Sequence, residues 1–128
     1  MTSEIRVRVI RELEKLKWKT KLVENPDVVI YCGLPSTLGV STSDVLVPVP
    51  GGYAQSMLDG AYLPQGSPLI GVVKGQPQQQ CTITADGRTW VLISYHPHNG
   101  GGAPPWDPTR HGFHTYLDEL VSWLSVRR

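Results

Sequence analysis

All four histidines of the 128-residue chain fall in its last third, at positions 96, 98, 111 and 114. Imidazole is the side chain whose ordinary titration spans neutral pH, and it is also a common metal ligand. His96-x-His98 puts two rings on one extended segment, and His111-x-x-His114 puts two on one helical face. Converged, three neutral imidazoles, or two with Asp107, would suit a catalytic zinc with an open coordination position. Spacing alone does not converge them, and structural or solvent-facing rings need no metal. Nucleophilic chemistry would need a hydroxyl or thiol beside a base. Ser94 and His96 share one side of an extended strand end, but no Gly-x-Ser-x-Gly elbow is present. Cys32 and Cys81 match neither a zinc spacing nor a Cys-x-x-Cys redox pair, and read as small buried hydrophobes. Gly100-Gly101-Gly102 lacks the Lys-Ser/Thr of a phosphate loop and reads as a flexible connection.

The elements that must hold these groups are legible around them. Val91-Leu92-Ile93 gives a strand signal that empties into Tyr95-His96-Pro97-His98-Asn99 and a Gly- and Pro-rich run ending at Pro108. Such a run cannot be regular structure, and loops anchored by rigid elements often carry functional groups. Asp107-Pro108 predicts a helix start, with Asp as cap and Pro in the first turn. Phe113, Leu117, Leu120, Val121 and Leu124 then recur at spacings of three and four, which predicts a closing amphipathic helix.

At the other end, Ile5, Val9, Leu13 and Leu16 predict a helix over 3–18, although Ile5 to Val9 also alternates like a strand. Arg6, Arg8, Arg11, Lys15, Lys17, Lys19 and Lys21 outnumber Glu4, Glu12 and Glu14 there. That face reads as solvated, with a partner-docking surface as the sharper alternative. Between the helices, β-rich runs at 18–23, 28–32, 45–49, 69–73 and 90–94 are bounded by Gly, Pro, Asn or Asp. Asn25-Pro26-Asp27 predicts a hairpin turn, and Ala85-Asp86-Gly87-Arg88 joins 81–84 to the last strand. The polar segment Gln76 to Gln80 reads as exposed. Val47-Pro48-Val49-Pro50-Gly51-Gly52-Tyr53 reads as a strand terminator whose aromatic folds back on the sheet. Trp90, Trp106 and Trp123 read as core or loop-anchoring aromatics. The sum is an α+β chain: N-terminal helix, antiparallel meander of about four strands, long loop, C-terminal helix.

With 40% hydrophobic and 18% charged residues, the chain suits a single domain over 1–128. A net charge of +1 gives no bulk reason to expect nucleic acid or an anionic membrane as partner. No apolar run approaches the roughly 20 residues of a bilayer span, and the charged N-terminal residues do not resemble a secretory segment. The expected location is cytoplasmic.

Several short segments, taken in order, resemble the ubiquitin-conjugating-enzyme (UBC-like) superfamily, and most closely its prokaryotic family E. Gly33-Leu34-Pro35 through Gly39 resembles the group's Leu-Pro-x-Gly segment, and Val45 through Tyr53 resembles its strand entering a Pro-x-x-Tyr turn. Leu58-Asp59-Gly60-Ala61-Tyr62-Leu63-Pro64, Gly87-x-x-Trp90, Ser94-Tyr95-His96, Trp106-x-Pro108 and Thr115-Tyr116-Leu117 follow in the group's order. The resemblance implies a UBC-like fold and a place in a bacterial ubiquitin-like conjugation system. Its partners would be a ubiquitin-like protein and an activating-type enzyme, with no cofactor. It also implies His96, with His98 and Asn99, at the reaction centre, and Tyr53, Tyr95, Trp106 and His111 as binding residues.

The departures bear on the chemistry. Thr109 stands where the group has Gly, His111 where an acidic residue often follows, and Tyr95 where it has Arg. No cysteine follows Tyr95-His96-Pro97-His98-Asn99, and Cys81 precedes His96 by fifteen positions. A thiolate is the nucleophile of thioester transfer, which a histidine cannot replace in kind. Three readings follow: a UBC-like component in which His96 is an acid/base or unusual acceptor; a catalytically silent adaptor for the same partners; or a His-metal hydrolase unrelated to ubiquitin chemistry.

Overall fold

A computed structural model describes residues 1–128. Helix α1 spans Ser3–Glu14 and is capped by the Thr2 hydroxyl, which accepts from the Ile5 N–H at 3.2 Å. It ends four residues before the expected Trp18, whose indole N–H instead donates to the Cys32 carbonyl at 2.7 Å. Strands β1 (Thr20–Val23), β2 (Val28–Pro35) and β3 (Thr42–Pro48) form consecutive antiparallel pairs, the first through the Asn25-Pro26-Asp27 turn.

Six strands, rather than about four, make up one antiparallel sheet. Its order is β1-β2-β3-β4-β6-β5, with β4 at Ala61–Pro64, β5 at Pro77–Ala85 and β6 at Arg88–Ile93. The meander breaks after β4, because β6 returns between β4 and the edge strand β5. One expectation is corrected here. Residues 69–73 form no strand: Val72 and Val73 both donate to the Leu69 carbonyl, closing a tight turn between Pro68 and Gly71. Leu69 and Val73 are fully buried all the same, so the apolar run plugs the core as a turn. The polar 76–80 segment is largely the start of β5, an edge position where polar side chains can face water.

Helix α2 spans Phe113–Trp123 and packs with α1 on one face of the sheet. The main core lies there, around Tyr31, Leu34, Val45, Leu58, Phe113 and Tyr116. The other face has its own small core of Val28, Ile30, Leu46, Ala85 and Trp90. The end of the β5–β6 hairpin curls over it. Lys21 on β1 meets Asp86 at 3.0 Å, Arg88 meets Asp44 on β3 at 3.0 Å, and the Arg88 guanidinium lies 4.3 Å from the Trp90 ring centroid.

Asp107 does not cap α2, which is a further correction. Its carboxylate accepts from the N–H and hydroxyl of Thr109, at 2.9 and 2.7 Å, and so closes a separate turn. The residue before α2 is Gly112, and the cap comes from elsewhere in the chain. The Glu12 carboxylate accepts the Phe113 N–H at 3.0 Å, the Tyr53 hydroxyl at 2.6 Å and the Arg8 Nε–H at 2.8 Å. Glu12 is 4% exposed, so a residue expected on the solvated face of α1 sits between the helices. A side chain at Gly112 would put its Cβ 2.4 Å from that carboxylate, which is why glycine occupies the position.

Candidate functional site

The loop after β6 is held by backbone contacts at the two residues before His96. Ser94 N–H donates to the Gln76 carbonyl at 3.0 Å, and Gly60 N–H donates to the Tyr95 carbonyl at 2.7 Å. A Cβ at Gly101 would lie 2.2 Å from the His96 carbonyl oxygen, so the glycine run packs directly against the backbone it follows. The Tyr95 ring is stacked on Trp123 with centroids 4.8 Å apart, and its hydroxyl donates to the Glu119 carbonyl at 2.9 Å. Burial raises the Tyr95 phenol pKa above the ordinary range and keeps it a donor at neutral pH.

Because Gly60 is tied to Tyr95, the residues next to them, Asp59 and His96, meet. Asp59 Oδ1 is 2.8 Å from His96 Nδ1, and the two side chains are 38% and 49% exposed. A carboxylate at Nδ1 places the ring proton there and leaves Nε2 as the basic nitrogen. His96 lines a recess of about 250 Å³ together with Lys74, Ser94, Glu119, Ser122 and Trp123. This arrangement offers a base, a cation, a carboxylate and two hydroxyls above an aromatic floor. Ser94 makes no hydrogen bond to His96; its hydroxyl accepts one from the Gln78 amide at 3.1 Å.

The expected site residues divide into two groups. His96 and Tyr95 face this recess side, and Asn99 is exposed at the loop tip with its N–H on the His96 carbonyl. His98, His111, Trp106 and Tyr53 gather behind the loop. The His98 ring centroid is 4.5 Å from that of His111 and 5.3 Å from that of Trp106, and Trp106 is 6.3 Å from Tyr53. Tyr53 reaches the helices rather than the sheet, lying 5.3 Å from Phe113. His98 is 6% exposed; its Nδ1 bonds to the Pro104 carbonyl at 2.8 Å and its Nε2 is buried without a partner. Trp106 pins the loop to the 50–60 segment by donating to the Ala54 carbonyl at 2.9 Å. The Asp107 N–H donates to His111 Nδ1 at 2.9 Å, which puts the proton of a neutral His111 on Nε2. Desolvation, and then the neighbouring His98, lower the His111 pKa.

The four histidines therefore do not converge. No group of three or more His, Cys, Asp or Glu side chains is placed to share a metal ion. Neither cysteine belongs to the loop. Cys81 lies in a bulge of β5, between residues paired with Leu92 and Val91, and is exposed; Cys32 is half-buried on β2. Sequence reasoning missed Asp59 as a partner of His96, since the two are 37 positions apart and no periodicity links them. It also missed Glu12, which resembles any other charge on an amphipathic helix. No helix is long and apolar enough to cross a membrane. No family model, no curated protein and no solved structure matches the chain.

Proposed function

We propose that this protein is a UBC-like component of a bacterial ubiquitin-like conjugation system, working in the cytoplasm, with His96 as a general base rather than a thioester carrier. The observation that carries the reading is the 2.8 Å Asp59–His96 contact on an anchored, half-exposed loop. The order of elements supports it too: helix, antiparallel sheet, a buried tyrosine after the Pro-Gly-Gly turn, a histidine loop and a closing helix. With no thiol in the loop, the activated carboxyl of the ubiquitin-like protein stays on the thiol of the activating-type enzyme. His96 Nε2 takes the proton from a target amine as the C–N bond forms and the C–S bond breaks, releasing thiolate. Asp59 holds the ring and stabilises the imidazolium.

A second reading is favoured by the same absence of a loop thiol: a silent adaptor that binds these two partners without chemistry. Reconstitution with a ubiquitin-like protein and an activating-type enzyme from the same genome separates the two. General-base loss costs about 10²–10⁴ in rate, so His96→Gln should abolish most transfer while binding persists. Cys81→Ser and Cys32→Ser should transfer normally. Unchanged transfer in His96→Gln supports the adaptor; loss in Cys81→Ser would return the thioester; absence of any binding to either protein sinks both readings.

A further inference from the structure

A second recess, of about 400 Å³, lies between α1 and the 108–114 segment, and its lining is mostly charged and polar side chains. Arg8, Arg11 and Lys15 enter it from α1 at spacings of three and four, and Arg110, His111 and His114 enter from the facing segment. Elsewhere, cations that face another element find a carboxylate there: Arg6 meets Glu24, Lys21 meets Asp86 and Arg88 meets Asp44. Here Arg11, Lys15 and Arg110 make no ion pair. The one acid of the recess, Glu12, is already committed to Arg8, Tyr53 and the Phe113 N–H.

Arg8 is fixed in place, since its guanidinium also donates to the carbonyls of Pro108 and His111. His111 brings an Nε2–H donor to the wall, because its Nδ1 accepts from Asp107. His114 brings a ring whose buried Nδ1 has no hydrogen-bond partner. Opposed, unpaired positive charge held on two packed elements repels itself unless an anion lies between. The volume exceeds one phosphate, and no Phe, Tyr or Trp lines the recess as a platform for a nucleobase.

We propose that this recess binds a small, multiply charged phosphate anion of the pyrophosphate class, gripped by Arg11, Lys15 and Arg110 over the His111 and His114 rings. The site is separate from the His96 recess and independent of the function proposed above. Charge-assisted contacts of guanidinium or ammonium to phosphate are the strong ones, and each bridges α1 to the segment leading into α2. A bound anion therefore clamps the two together and stabilises the folded chain.

The test is calorimetric titration of the full chain with pyrophosphate and with inorganic phosphate, at ionic strength held constant with chloride, alongside melting curves. Saturable binding of pyrophosphate, tighter than phosphate and with a raised Tm, is expected. Arg11→Ala, Lys15→Ala and Arg110→Ala change exposed residues outside the Glu12 network, and each should weaken binding by about tenfold. Resonances of the His111 and His114 rings should shift on titration while those of His96 stay in place. Pyrophosphate that stabilises no more than chloride overturns the proposal, as does affinity unchanged in the triple variant. Binding of a phosphopeptide or polyglutamate without binding of free pyrophosphate overturns it as well.

Discussion

Asp59 and Glu12 each use a carboxylate to hold part of the 94–114 segment, and they differ chiefly in burial. Asp59 meets one group, His96, where water reaches both partners. Glu12 meets three groups and is nearly sealed from solvent. An exposed pair is screened and adds little to stability, so what Asp59 supplies is the orientation and tautomer of a ring that can still be reached. A buried carboxylate that accepts three hydrogen bonds is structural, because removing it strands donors that water cannot recover. The lesson is that the open pair leaves its ring within reach of a reactant, while the closed one holds the two helices together.

The contrast can be attacked first at its stronger end. Glu12→Ala leaves the Phe113 N–H, the Tyr53 hydroxyl and the Arg8 Nε–H without their acceptor, and should cost about 3–5 kcal/mol. The urea midpoint should fall with little change in slope; a loss under about 1 kcal/mol would erase the distinction.

Acid should act next, through histidines on the Glu12 side. Desolvation lowers the pKa of His111 and of His114 below the ordinary 6.5, with the cations Lys15 and Arg8 adding to the shift of His114. The unfolded chain then binds protons that the native chain refuses. Stability is full above the ordinary histidine pKa and falls as pH drops through it toward the lower native values. Melting temperature should decline from about pH 7 to about pH 5, and the double variant His111→Gln, His114→Gln should flatten that decline. An unchanged slope would mean that neither ring is held neutral by the fold.

The smallest effect on stability belongs to Asp59→Asn, about 0.5 kcal/mol or less. Nitrogen NMR should nevertheless show His96 losing its preference for the Nδ1–H tautomer. A large drop in stability with the tautomer unmoved would make Asp59 a structural residue like Glu12.

Periodicity made the two helices legible, and alternation with turn chemistry gave β1, β2, β3, β6 and the hairpin at Asp86-Gly87. It failed where a pattern has more than one physical use. Leu69 to Val73 is apolar because it is buried, but Pro68 and Gly71 turn it out of any ladder. Ala61 to Pro64 is only four residues long and ends in proline, so nothing local marked it as the strand joining the two halves of the sheet. For the candidate site, the loop was readable from residue type and flanking elements, and His96 was singled out within it only by the family resemblance. The partner of His96 was not, because Gly60 and Tyr95 create that meeting through a backbone bond between distant segments. His98 and His111 looked like His96 in sequence, and only burial separates them.

The cap of α2 also shapes how the chain can fold. Its acceptor lies 101 positions upstream of the N–H that it satisfies, and Arg8 reaches the His111 carbonyl across 103. Closing so long a loop costs entropy before any contact repays it. The Phe113 N–H in the first turn of α2 therefore cannot be satisfied by local events. It is met only when α1 docks, which couples the opening and closing helices of this chain to each other.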